Sequence, residues 1–230
     1  MALIAKYDDD LLVATATEIT KEAMKSLDGS HDYEHAVRVC RLAERLAREE
    51  QVMDVLAVKL AALLHDIGDF KYFQDGERRL QDALSTLQAH GLPSETADKV
   101  HAIIRGIGFT EELRAAQAGE KRETFPELAC CQDADRLDAI GAVGIARCFT
   151  FGGARGRPLY DPDVPVSSEI DYDRYVAQHL GNTGATINHF HEKLLKLSGM
   201  MKTESGRALA RSRHEFMVAY LKQFEEEVAG

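Results

Sequence analysis

Apolar residues recur at helical spacing along most of the chain, and alternating apolar–polar runs long enough to build a sheet are missing. A first helix is expected over 9–26. Ser30 or Asp32 can cap a second, in which His35, Val39, Leu42 and Leu46 share one face. Residues 53–66 read as a third helix, apolar almost all round and therefore central. A fourth spans 75–89 and ends at His90-Gly91-Leu92-Pro93. A fifth over 94–105 is stopped by Gly106 and Gly108. A long sixth covers 125–148, and two more lie near 172–197 and 204–228. The main break is 151–170, a long loop holding Gly153, Gly156, Pro158, Pro162 and Pro165. The pattern predicts an all-α bundle forming one domain over 1–230. Its core lies at about 20–150, and the C-terminal helices, about 171–230, pack back on it.

Composition narrows the class. The 230 residues are 45% hydrophobic and 29% charged, as in a soluble globular protein large enough to bury a full core. A net charge of −10 argues against nucleic acid as a general partner. Small anionic substrates are compatible with it if a metal and a few Arg or Lys reverse the sign locally. Apolar stretches fall short of a membrane span, and the N-terminus lacks the basic-then-apolar order of a secretory signal, so a cytoplasmic protein is expected. Cys40, Cys130, Cys131 and Cys148 show no CxxC spacing and read as small buried hydrophobes.

The chemistry concentrates in a few polar residues. His65-Asp66 follows the apolar run Leu60-Ala61-Ala62-Leu63-Leu64, where a charged pair is costly unless compensated. A divalent ion would compensate it, with His35 upstream and Asp135 downstream as further ligands. Asp135 is read as opening a helix, where the dipole favours a carboxylate. Imidazole plus carboxylate suits one ion of Mn, Mg, Co, Ni, Fe or Zn. Such a set leaves positions open for water, as hydrolysis requires. His31 and His35 have the spacing of a zinc-protease helix, but Asp32 stands where that motif needs Glu.

These residues resemble the HD-domain superfamily of metal-dependent phosphohydrolases, with its H…HD…D signature. His35 matches the first ligand, His65 and Asp66 the pair, and Asp135 the last ligand. Asp138, one turn on, is a substitute for that last position. Leu64-His65-Asp66-Ile67-Gly68-Asp69 and Asp133-Ala134-Asp135-Arg136-Leu137-Asp138-Ala139 are similar to a subgroup of small stand-alone HD hydrolases. That subgroup includes bacterial nucleotide pyrophosphohydrolases, and the likeness covers nearly the whole chain. It implies hydrolysis of (deoxy)nucleoside triphosphates to monophosphate and pyrophosphate. The alternatives are a 5′-nucleotidase and a non-catalytic sensory module. The stretch between the HD pair and the last Asp holds only His90 and His101, which favours a mononuclear site.

Candidate roles follow. Asp69, three residues past Asp66, is the expected general acid or base; related nucleotidases carry Glu there. His31 is a candidate for phosphate contact or proton donation, or a helix cap. Arg38, Lys71, Arg136 and Arg147 are candidate phosphate contacts; Arg147 lies eleven residues beyond Arg136, nearly on the same face if one helix carries both. Phe109 is a candidate for stacking on a base. Arg155 and Arg157 can cover a polyphosphate as a lid. The expected partner is a small phosphorylated substrate, by preference a nucleotide. The faces at 172–197 can bury a homodimer or complete the core.

Overall fold

A computed structural model describes residues 8–25, 27–68, 73, 75–120, 122–166 and 184–230. The described elements are α1 (Asp9–Ala23), α2 (Tyr33–Glu49), α3 (Val55–Leu64), α4 (Gly76–Ala89) and α5 (Ser94–Ile107). They continue as α6 (Phe109–Gln117), α7 (Pro126–Asp138), α8 (Gly141–Ala154), α9 (Asn188–Glu192), a 3-10 segment (Leu194–Met200) and α10 (Glu204–Ala229). No strand occurs among the described residues, so the fold is all-α.

The centre is α3. Eight of its residues are buried, from Leu56 to Leu64, and it packs against α1, α2, α5 and α7. Ala57, Ala61 and Ala62 let the surrounding helices approach closely. Asp54 starts the helix by accepting from the Ala57 N–H at 3.0 Å. At the other end the Thr20 hydroxyl donates to the Leu63 carbonyl at 3.0 Å, and the Ile67 N–H donates to the Leu64 carbonyl at 3.1 Å. The terminal carbonyls are therefore satisfied, and the turn carrying His65 and Asp66 is anchored. Asp32, rather than Ser30, caps α2 and accepts from the His35 N–H at 3.0 Å.

Three expectations need correction. The helix expected over 125–148 is two helices, α7 and α8, bent by 68° at a break. Between them Ile140 is extended, and Gly141, the first residue of α8, has φ +76°, a conformation that side chains rarely adopt. Asp135 consequently sits near the C-terminal end of α7 instead of opening a helix. Helix α6 has no counterpart among the expected helices, although Thr110-Glu111-Glu112-Leu113-Arg114-Ala115 is a good helical run. Finally, the part of 172–197 that is described is not one helix but α9 followed by the 3-10 segment; 172–183 lie outside the described residues.

The described C-terminal residues complete the core. Phe190 is fully buried and stacks on Tyr220 of α10 and against Phe149 of α8. One hydrophobic cluster runs from Leu12 to Leu221. Of the long loop, Ala154 and the residues before it belong to α8, and 167–170 lie outside the described residues. Pro158 and Leu159 carbonyls accept from the Thr186 and Ile187 N–H groups at 2.9 and 3.1 Å, which pins its middle to the chain before α9. No single described helix is long and apolar enough to cross a membrane.

The start of α10 is stapled to α7. Buried Asp133 accepts from the Lys202 and Thr203 N–H groups and from the Thr203 hydroxyl at 2.7–3.0 Å. Asp133→Ala would strand these donors, a loss of roughly 3 kcal/mol that lowers Tm by about 6–12 °C. Thermal unfolding of the variant checks this.

Candidate metal centre

His65 and Asp66 emerge from the end of α3, His35 from the first turn of α2, and Asp135 and Asp138 from the end of α7. All three elements belong to the core, so the site stands on rigid supports. His35 Nε2 lies 3.4 Å from Asp66 Oδ2 and 3.6 Å from Asp135 Oδ1. His65 Nε2 lies 3.2 Å from Asp66 Oδ1 and 3.9 Å from Asp135 Oδ1. His35, His65 and Asp66 are all buried, and their ligand atoms lie within 4.8 Å of one another.

The outer hydrogen bonds settle the tautomers. His65 Nδ1 is 2.9 Å from the Ala62 carbonyl, an obligate acceptor, so Nδ1 carries the proton. His35 Nδ1 is 2.8 Å from Asp138 Oδ2 and donates in the same way. Each Nε2 then presents a lone pair toward the Asp66 and Asp135 carboxylates. Asp66 Oδ2 is buried and accepts no hydrogen bond among the described residues. Three acceptors within 4.8 Å of one another, with Asp135 Oδ1 beside both imidazoles, call for a cation. Ligand distances of about 2.0–2.2 Å place neighbouring ligand atoms about 3 Å apart around a six-coordinate ion, close to the spacing here. The donor set fits a divalent metal.

Asp138 does not compete for the last ligand position. Besides His35 it receives Arg38 Nε at 2.8 Å, Arg38 Nη2 at 3.0 Å and Arg147 Nη1 at 3.1 Å. Burial pushes its pKa up, but the hydrogen bonds from His35 and Arg38 outweigh this and hold it far below the usual carboxylate range. It orients His35, as carboxylates behind metal-binding imidazoles do.

These residues form the floor of a cavity of about 590 Å³. His31 lines it, its ring edge-on to His35 and to Phe151. Burial lowers the His31 pKa to about 3, with help from Arg147 and His35 and against the pull of Asp66, so the ring is neutral. Its Nδ1 is 2.8 Å from Ser30 Oγ. It does not cap α2, because Asp32 does.

The remaining candidates divide. Arg147 lines the cavity while held by Asp138 and by the Ser30 carbonyl at 2.7 Å. Phe109 lines it too, with Lys193 Nζ 4.6 Å above its ring. Arg157 lines it beside Phe151, whereas Arg155 stacks on Phe151 from outside the lining. Arg38 is engaged with Asp138 and does not line the cavity. Arg136 is buried on another side of α7, bonded to the Met200 carbonyl at 3.0 Å and to Glu112. The face shared with Arg147 does not exist, because the bend separates the two helices. Asp69 and Lys71 lie outside the described residues. Sequence reading missed Arg114, Arg122, Lys193 and His189 as cavity residues, since no motif marks them.

The family model described as HD domain matches residues 32–140. The chain is 36% identical over 200 residues to the uncharacterized protein YpgQ of Bacillus subtilis, covering 87% of this chain and 85% of that one. The crystal structure of B. subtilis YpgQ in complex with ADP superposes with a TM-score of 0.72 at 32% identity, over 96% of this chain and 97% of that one. An HD-superfamily hydrolase from Bacillus thuringiensis superposes with a TM-score of 0.71 at 30% identity, over 97% of this chain and 100% of that one.

Two outcomes are expected. Asp138→Asn should weaken divalent-metal binding by about 10–100-fold in calorimetric titration, because His35 loses its charged partner. His189 is half-buried near Lys193 and Arg157, and desolvation first, then those cations, lowers its pKa to about 3 from 6.5. Above 6.5 neither folded nor unfolded chain protonates this group. Below it the unfolded chain gains a proton that the folded chain refuses, so stability falls as pH drops toward 3. Replacing His189 with Asn should flatten that part of the stability profile in denaturant titrations.

Proposed function

The chain belongs to the HD-domain family of metal-dependent phosphohydrolases, and on that premise we propose that it hydrolyses (deoxy)nucleoside triphosphates to monophosphate and pyrophosphate. One observation carries the reading. A cluster of metal-seeking acceptors forms the floor of a cavity whose walls hold Arg105, Arg114, Arg122, Arg147, Arg157 and Lys193. In a chain of net charge −10, that concentration of cations suits a polyanion of several phosphates. The ADP bound by the similar YpgQ structure supports a nucleotide over another phosphate ester.

We assign His35, His65, Asp66 and Asp135 to holding the ion. A divalent metal in such a site polarises a phosphoryl oxygen and lowers the pKa of a bound water. The chain's own residues do the rest. Arg147, fixed by Asp138 and Ser30, offers its charge to the phosphoryl oxygens as negative charge builds there. His31, which lines the cavity beside His35, is assigned to contact a phosphate or to donate a proton to the leaving group. Asp69 receives the acid–base role on its sequence position, and Lys71 a phosphate contact on the same ground. Phe109, which lines the cavity with Lys193 Nζ 4.6 Å from its ring, is our candidate for stacking on a base. We take the protein to act in the cytoplasm, where its four free thiols stay reduced.

Chelator-stripped protein given Mn, Mg, Co, Ni, Fe or Zn and a nucleotide panel should release monophosphate and pyrophosphate, identified by chromatography. Asp66→Ala should lower turnover by at least about a thousandfold. Phosphate released from monophosphates would instead identify a 5′-nucleotidase, and binding without turnover a sensory module. Metal at about a hundred times its Kd should also add about 2.7 kcal/mol of stability, lost on chelation.

A further inference from the structure

Helix α6 supplies one wall of the cavity through Phe109, Thr110, Glu111 and Arg114, yet it packs only sparsely on the other helices. A single residue, Gly108, separates it from α5. A Cβ at Gly108 would meet nothing nearer than Glu111 Cγ at 4.0 Å, so the junction is open. Gly119, with φ +71°, follows its far end. Phe109, Leu113 and Ala115 pack inward, and a set of charges on the side away from the cavity ties α6 down as well. Glu112 accepts from Arg136 with one oxygen and from Lys202 Nζ at 2.5 Å with the other. Arg136 is only 3% exposed and immediately follows Asp135, and its other arm grips the Met200 carbonyl. Lys202 is fixed through its N–H to Asp133, two residues before Asp135. The chain of contacts therefore runs from the cavity wall to the helix that carries the last acceptor of the metal centre.

We propose that Glu112 is a positioning residue: through Arg136 and Lys202 it holds α6 at a set distance from Asp135 and thereby sets the grip of the cavity on its nucleotide. This rests on the reading of the cavity as a nucleotide site. Glu112 touches neither metal ligands nor cavity, so it acts on substrate only through α6. Burial disfavours its charge, but Arg136 and Lys202 more than offset this and keep it ionised. The wall it holds carries Phe109, whose ring lies 4.6 Å from Nζ of Lys193, in the segment after α9. A shift of α6 would open that contact and move Arg114 away from the phosphates.

Two variants separate this role from simple loss of stability. Glu112→Gln keeps the shape and removes the charge. Lys202→Met cuts one arm and leaves Arg136 paired, which keeps a folded control in hand. Hydrogen exchange reads the clamp without substrate. Amides of 109–117 should lose protection about tenfold or more in Glu112→Gln and less in Lys202→Met, while 126–138 keep theirs. Kinetics with a nucleoside triphosphate and Mn should show KM raised about tenfold in Glu112→Gln, with kcat and metal affinity within about twofold of the parent. Unchanged exchange at 109–117 overturns the clamp. Normal KM with lost protection overturns its role in substrate grip, as does a joint fall of kcat, metal affinity and Tm. Should the unmodified protein turn over no nucleotide, the functional reading fails, and exchange alone still decides the clamp.

Discussion

His35, His65, Asp66 and Asp135 turn their acceptor atoms toward one point, and lone pairs held 3–4 Å apart repel. In water that repulsion would be screened; inside an apolar bundle it is strong. Much of the surrounding structure can be understood as holding these atoms in place. The end of α3 has its carbonyls satisfied by Thr20, His65 and Ile67. Asp138 locks one imidazole, and two arginines lock Asp138. The energy of assembling the cluster is met by burial elsewhere, in a core continuous from Leu12 to Leu221.

Charge is sorted spatially. The chain as a whole repels anions, yet the cavity draws cationic side chains from α5, α6, α8 and the segment after α9. Several of these are partly neutralised, Arg105 by Glu77 and Arg114 by Glu111. A site tuned in this way can admit a polyanion without holding its product too tightly.

The helical class, the central α3 and the meeting of His35, His65, Asp66 and Asp135 were legible in the sequence, because apolar periodicity and the H…HD…D order are local signals. The choice between Asp135 and Asp138 was not. Both are carboxylates on one turn, and only the position of Arg38 and Arg147 shows which is occupied elsewhere. Arg136 looked equivalent to Arg147 only while α7 and α8 passed for one helix. The 139–140 break hides inside continuous apolar periodicity, and Gly141 is its sole local mark. Helix α6 was obscured because Gly106 reads as a helix stop, whereas α5 continues through it to Ile107 and only Gly108 separates the two helices. Cavity cations such as Lys193 come from chain segments far apart in sequence, so no spacing could have announced them.

Helix α7 carries Asp135 on one turn and Asp138 almost one turn later, so one rigid rod bears both an acceptor facing the ion position and the partner that orients His35. Rotating or sliding that rod displaces both at once. A chain in which α7 has not seated against α2 and α3 lacks both the facing carboxylate and the fixed imidazole, so docking of this helix and completion of the acceptor cluster are one event.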